Sequence, residues 1–210
     1  MASARGFDPF ALTVAYGQLH RAELDAAKSV AAALAIENHQ ILKVDLATLA
    51  ASALTREAIG VPMDRTLEEI GTREVPVTYV PARNTVLLSL ALAWAETLGT
   101  QDIFLGVNVL DASGYPDCSA EFVRAFEALA NIATAMGSGG RRVTIHAPLI
   151  EMTKAEIITE GIALGLDYGL THSCYVPATD GGACGRCDAC QLRRKGFEEA
   201  GVADPTRYSL

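Results

Sequence analysis

Thr171-His-Ser-Cys-Tyr-Val-Pro-Ala-Thr-Asp-Gly-Gly-Ala-Cys-Gly-Arg-Cys-Asp-Ala-Cys190 is the stretch on which the reading of this chain turns. Four of the five cysteines (Cys174, Cys184, Cys187 and Cys190) fall within seventeen positions, and the last three are spaced C-x2-C-x2-C. Two residues between cysteines let a tight turn aim both sulfurs at one point, as a tetrahedral zinc site needs. Gly181, Gly182 and Gly185 supply the permissive backbone of such a knuckle. Four thiolates leave no position for water, so the metal is expected to be one structural Zn2+ per chain. An iron–sulfur cluster is the rival reading, although in ferredoxins a Pro-flanked fourth cysteine follows the triplet. Disulfides or free thiols are the remaining alternative.

Outward from this stretch, the 210 residues are 50% hydrophobic, enough for one ordinary domain with a sizeable core. A net charge of -8 argues against a broad grip on nucleic-acid phosphates. It leaves room for a small anion held by local arginines. The odd, clustered cysteines read as those of a reduced, cytoplasmic protein. No signal peptide or membrane partner is expected, because Asp8 and Pro9 interrupt the N-terminus and the longest apolar run, Val86 to Ala95, is too short to span a bilayer.

Strand patterns alternate with helical ones. Phe10 to Ala15 reads as a strand ending at Tyr16-Gly17-Gln18. His20 to Ala35 reads as a helix with Ala22, Ala26, Val30 and Ala33 on one face. Gln40 to Asp45 is a second strand and Leu46 to Leu54 a short helix. Gly60 to Pro81 is a long connection of the kind that is usually functional. Asn84 to Leu98, apolar nearly all round, is a buried helix. Asp102 to Val107 and Arg142 to His146 are strands three and four, with an amphipathic helix over Ser119 to Met136 between them. Thr153 and Glu156 form a capping box opening a helix to Gly161 or Leu164, and Asp188 to Ala200 is the last helix. The fold class is therefore α/β, a Rossmann-like parallel sheet flanked by helices, with a C-terminal zinc knuckle. Residues 1–170 are read as the α/β domain and 171–210 as a zinc segment packed on it.

In such sheets ligands bind beyond the carboxyl ends of the strands. The loop from Gly106 to Cys118 brings Asp111, Ser113, Tyr115, Asp117 and Cys118 there, unless it is only a capped turn and Cys118 an inert buried thiol. Arg83 could hold an anion at the start of the buried helix, or Asn84 could simply cap it. His20 and His146 stand near strand ends, where a structural role is the commoner one. Arg193, Arg194 and Lys195 read as a solvated helix face. Ser138-Gly139-Gly140 has the order helix, glycines, strand, the reverse of a phosphate loop.

Taken together, the segments resemble the 7-cyano-7-deazaguanine synthase family of queuosine biosynthesis, in the ATP-pyrophosphatase (adenine nucleotide alpha hydrolase-like) group. The resemblance is carried by Tyr16-Gly-Gln-Leu-His20, Ser52-Ala-Leu-Thr55, Tyr79-Val-Pro-Ala-Arg-Asn-Thr85, Ser113-Gly-Tyr-Pro-Asp-Cys118, Thr153-Lys-Ala-Glu-Ile157, Thr171-His-Ser-Cys-Tyr175 and the cysteine knuckle. It implies a ligase that converts 7-carboxy-7-deazaguanine and ammonia to the nitrile, with ATP and Mg2+ as co-substrate. It further implies Asp111, Asp117 and Cys118 as catalytic candidates, and Tyr16, Gln18, His20, Arg83, Asn84, Ser113, Tyr115 and Lys154 as substrate or nucleotide contacts. Tyr115 would offer a stacking face and Asp117 an acceptor for the base. No direct nucleic-acid contact is implied, and a homodimer is the possible assembly.

The departures are specific. The family opens with a strand and a Ser-Gly-Gly-x-Asp-Ser phosphate loop, whereas Met1 to Phe7 resembles the end of the helix that follows it. Roughly 20 to 30 residues are expected to be missing, and without that loop's N–H groups the chain is expected not to hold ATP tightly. Leu19 and Ser119 stand where the family has arginine. The alternatives are a zinc-stabilised deazaguanine-binding protein without catalysis, or another ATP-pyrophosphatase such as a tRNA-thiolating enzyme, which the acidic balance disfavours.

Overall fold

The computed structural model describes residues 1–72, 74–108 and 114–209. Strand β1 (Ala11–Ala15) leads through helix α1 (Ala22–Ala33) to β2 (His39–Lys43), which pairs parallel to β1 from Ala11↔His39 to Ala15↔Lys43. The alternation in β1 sends Val14 into the core. Of the face predicted for α1, Ala33 is the last helical residue and is exposed; the buried contact comes from Ala31.

No helix forms over residues 46–54. Ala50 N–H closes one turn onto Leu46 O, but Ala53 N–H then goes to Val77 O, so the ladder is diverted to residue 77. The long connection after it contains a one-turn helix, α2 (Leu67–Ile70), started by a Thr66–Glu69 capping box.

Helix α3 (Arg83–Leu98) is the central element, as its all-round apolar sequence requires. One side places Leu88, Leu92 and Ala95 against strands β3 (Asp102–Phe104) and β4 (Thr144–His146) through Ile103 and Ile145. The other packs Val86, Leu87 and Leu90 with Val14, Leu46 and Val80. Gly99, at φ 73°, ends α3 in the left-handed conformation that a Cβ would penalise.

β3 and β4 pair parallel over three residues, shorter than the sequence pattern. The ladder stops where Pro148 nears, since proline has no N–H to extend it. His146 Nε2 lies 2.7 Å from Asp102 Oδ1 and its ring stacks on Phe104, a structural placement. Between these strands the predicted long helix is two: α4 (Ala120–Ala133) and α5 (Ala135–Ser138). Thr134 is extended at the break; its hydroxyl donates to Ala130 O and accepts from Gly137 N–H, closing one helix and capping the next. Ser138-Gly139-Gly140 is a connector into β4, as its order indicates.

β1–β2 and β3–β4 are separate parallel pairs among the described residues. Between β1 and β3 lies a cavity of 350 Å3 lined by Leu12, Val14, Ile103 and Leu105 with Leu88 and Ala91 of α3.

Helix α6 (Lys154–Ala163) begins at the predicted Thr153–Glu156 capping box and packs on α7 (Asp188–Glu199). The close approach is at Gly196, where an added Cβ would lie 2.7 Å from Lys154 Cβ and 3.0 Å from Ile158 Cδ1. Overpacking costs about 1–3 kcal/mol and exceeds a helix-propensity gain of roughly 1 kcal/mol. Gly196→Ala is therefore expected to lower stability in urea unfolding by about 1 kcal/mol; an unchanged or higher midpoint would show that the helices can part.

Candidate functional site

The four cysteines converge. Their Sγ atoms all lie within 4.8 Å of one another, with Cys184 and Cys190 at 4.0 Å. A tetrahedron with 2.3 Å metal–sulfur arms sets its sulfurs about 3.8 Å apart, so the donor set fits a metal ion with four thiolates and no open position. Gly185, at φ 70°, makes the turn between Cys184 and Cys187. Backbone N–H groups of Val176 and Cys184 donate to Cys174 Sγ, and those of Arg186 and Cys187 to Cys184 Sγ, at 3.2–3.4 Å. Such donors favour thiolate over thiol.

The knuckle is clamped to the segment before α2. Met63 and Cys187 form an antiparallel bridge, Asp64 N–H donates to Arg186 O at 2.9 Å, and the Arg186 and Asp64 side chains pair. Arg193 is not on a solvated face. It is buried, with Nε 3.0 Å from Asp204 Oδ1, Nη1 2.7 Å from Thr171 Oγ1 and Nη2 3.0 Å from Tyr168 O. Arg194 lies over the Tyr208 ring at 3.9 Å. Arg194, exposed, and Lys195, paired with Glu199, keep the surface place predicted for the three.

A second cluster gathers beyond the carboxyl ends of β1 and β3. Tyr16 is buried beneath the Arg83 guanidinium, 5.7 Å from the ring centre; burial, then the charge of Glu23, pushes its phenol up to about 12. Asp117 Oδ2 accepts from Asn84 N–H at 2.9 Å, at the start of α3. Asn84 does not cap the helix with its side chain; its Nδ2 donates back to Asp117 O at 2.9 Å and to Cys118 Sγ at 3.2 Å. Asp117 Oδ1 is buried and has no hydrogen-bond partner among the described residues. Burial, then the charge of Asp117, raises the Cys118 thiol, which keeps it protonated at neutral pH.

Beside this cluster opens a cavity of 560 Å3, bounded among others by Thr78, Tyr115, Lys154, Tyr175, Arg65 and Asp188. Thr78 Oγ1 and the Tyr115 hydroxyl are 2.7 Å apart. Burial, followed by the charge and hydrogen bond of Tyr115, raises the Tyr175 phenol well above its ordinary value, and Arg83 also acts on it. The cavity and the Arg83–Asp117 cluster are thus joined through the two tyrosines.

Of the residues singled out in the sequence, Tyr16, Arg83, Asn84, Asp117 and Cys118 come together, and Tyr115 and Lys154 line the adjoining cavity. Asp117 is not among the residues lining that cavity. Gln18 holds the turn after β1, accepting from Tyr16 N–H at 2.8 Å and donating to Glu23 at 2.6 Å. His20 is half-buried and borders a pocket of only 30 Å3 with Tyr16 and Gln18. Asp111 and Ser113 lie outside the described residues. Ser119, in the place of an expected arginine, caps α4 by accepting from Phe122 N–H. The sequence reading missed Arg65, Thr78, Tyr175 and Asp188. Tyr175 and Asp188 adjoin metal-site cysteines and could have been found there; Arg65 meets Asp188 across 123 positions, for which no local pattern exists. No helix of the described residues is long and apolar enough to cross a membrane.

Residues 1–201 match the family described as queuosine biosynthesis protein QueC. A 7-cyano-7-deazaguanine synthase of Myxococcus xanthus is 57% identical over 209 residues, covering 100% of this chain and 90% of that protein. The synthase of Solidesulfovibrio magneticus is 59% identical over 204 residues (97% of this chain, 86% of that one), and that of Cupriavidus necator 57% over 208 (99% and 89%). With the four-cysteine centre beside a cavity at the strand ends, these matches place the chain: it belongs to the QueC queuosine biosynthesis family.

Proposed function

We propose that this chain converts 7-carboxy-7-deazaguanine, ammonia and ATP to 7-cyano-7-deazaguanine in the cytoplasm, with one structural Zn2+ on Cys174, Cys184, Cys187 and Cys190. The observation that carries the reading is the 560 Å3 cavity joined to the buried Arg83–Asp117 cluster. A carboxylate is a poor electrophile until its oxygen becomes part of a phosphate leaving group. ATP supplies that group, ammonia displaces it to give an amide, and a second activation lets the amide oxygen leave as the nitrile forms. Arg83 and Lys154 provide cations on this side of the site, and the charge of each partly offsets the burial that raises the Cys118 thiol. Mg2+ accompanies the nucleotide and neutralises its phosphates.

Asp117 is assigned to the nitrogen. Its Oδ1, without a hydrogen-bond partner among the described residues, is the acceptor for a proton released as ammonia attacks, and Oδ2 stays on Asn84 N–H. Cys118, protonated by its buried setting, acts as packing and as acceptor for Asn84 rather than as nucleophile. The phosphates belong beyond the carboxyl ends of β1 and β3.

Asp117→Ala tests the assignment. Loss of a positioned base is expected to slow turnover by about 10²–10⁴-fold. Loss of the bond to Asn84 N–H is expected to cost about 1 kcal/mol of stability, with metal content unchanged. A variant that melts earlier but turns over normally would reduce Asp117 to a helix cap.

A further inference from the structure

One buried side chain at the cavity is not used by the reaction above. Thr78 is 1% exposed, whereas Val75 and Val77 just before it are 57% and 51% exposed. Its Oγ1 lies 2.7 Å from the Tyr115 hydroxyl, the one side-chain hydrogen bond it makes among the described residues. Both residues border the 560 Å3 cavity. Arg65 and Tyr175, two further walls of that cavity, lie within electrostatic reach of the same hydroxyl.

As a tie between two segments this bond is redundant. Gly114, at φ 100°, lies so close to the Glu74 carbonyl that a Cβ would collide with it, and the Tyr115 and Tyr79 rings meet at 6.1 Å and 69°. Residues 114 and 115 are thus fastened to 74–79 without it. Val77 O is held in turn by Ala53 N–H at 2.9 Å and by Ser52 Oγ at 3.3 Å. A valine at position 78 would fill nearly the same space with no hydroxyl to desolvate. What the hydroxyl adds is direction. A tyrosine hydroxyl lies on the axis about which its ring flips, so a bond there stops the ring from swinging but leaves its tilt free. The contact with Tyr79 sets the tilt. Together they hold the Tyr115 ring in one attitude at the cavity wall.

We infer that Thr78 is a positioning residue, which fixes the Tyr115 ring as a preformed face for the planar base. The inference rests on the reading that this cavity takes the deazaguanine. A side chain ordered in advance spares the cost of ordering it on binding, about threefold to tenfold in affinity. Stacking of a base on an aromatic ring is worth more, about tenfold to a hundredfold.

The test is calorimetry of 7-carboxy-7-deazaguanine on the metal-loaded protein, with the thermal midpoint of each variant. Tyr115→Ala is expected to bind about tenfold to a hundredfold more weakly. Thr78→Val and Tyr115→Phe are each expected to lose about threefold to tenfold, and the double variant no more than either, because both remove the same bond. Thr78→Ser, which keeps the hydroxyl, is expected to recover the affinity. Where Thr78→Val does not fold, Tyr115→Phe carries the test. Wild-type affinity in either, with or without a lower midpoint, would overturn the inference and leave the bond a buried tie. Losses that add in the double variant would also overturn it, since the two hydroxyls would then act separately. Full affinity in Tyr115→Ala would show that the ring is no face for the base. A wild type that does not bind the base overturns the reading of the cavity, and the inference with it.

Discussion

Stripping the metal from the cysteine centre is expected to unfold the C-terminal quarter of the chain and to open the 560 Å3 cavity. The four thiolates are brought together from a loop and from the first turn of α7, with no disulfide among them. Without a cation, their like charges and buried sulfurs have nothing to hold them. Structural zinc in isolated knuckles supplies about 10–16 kcal/mol at pH 7, comparable to the whole stability of a domain. Because Tyr175, Asp188 and Arg193 are attached to this centre and line the cavity, base binding is expected to vanish with the metal. Elemental analysis should find one zinc per chain, and Cys187→Ser should mimic chelation. An absence of zinc, or iron with visible absorbance, would contradict the assignment; so would a chelated protein that melts and binds as before.

Arg193→Ala is expected to be the most damaging single change outside the cysteines. The guanidinium is buried with Asp204 and joins α7 to Tyr168, Thr171 and, at 3.4 Å, Ser173 Oγ. It also lies over the Phe197 ring at 5.0 Å. Removing it strands the Asp204 carboxylate, whose own burial opposes its charge and is overcome by bonds from Tyr208, Thr206 and Arg193. Truncating one member of a buried pair costs about 3–5 kcal/mol. Arg193→Lys should recover little, since an ammonium cannot present the planar fork that meets four partners. Lys195→Ala, two residues on but at the surface, should stay within about 0.5 kcal/mol. Equal effects at the two positions in urea unfolding would restore the solvated-face reading of this cluster.

That contrast shows where the sequence was legible. Arg193 and Lys195 are both cations on one helix, and tertiary partners distant in the chain, Asp204, Thr171 and Tyr168, separate them. By comparison, α3 could be read because its apolar residues face two cores at once, and α6 because Thr153 and Glu156 carry their own capping geometry. The same signal at Thr66 and Glu69 marks α2 and was available in the sequence. Residues 46–54 misled because their helical composition is overridden by a bond to Val77, distant in the chain. Strand three was read too long because a strand lasts only as far as its partner, and β4 ends at His146. For the site, the cysteine spacing was sufficient to foresee four converging sulfurs, and the loop reading picked out residues that the structure places at the cavity (Tyr115) and beside Asn84 (Asp117 and Cys118). The cavity could not be foreseen, since its walls come from segments as far apart as Arg65 and Asp188.

The most direct measurement is to incubate the protein, expressed from its native gene, with 7-carboxy-7-deazaguanine, ammonia, ATP and Mg2+, and to follow the base by mass spectrometry. The account predicts conversion of the carboxylate to the nitrile, dependent on both ammonia and ATP. Recovery of the base unchanged, with ATP intact, would contradict it.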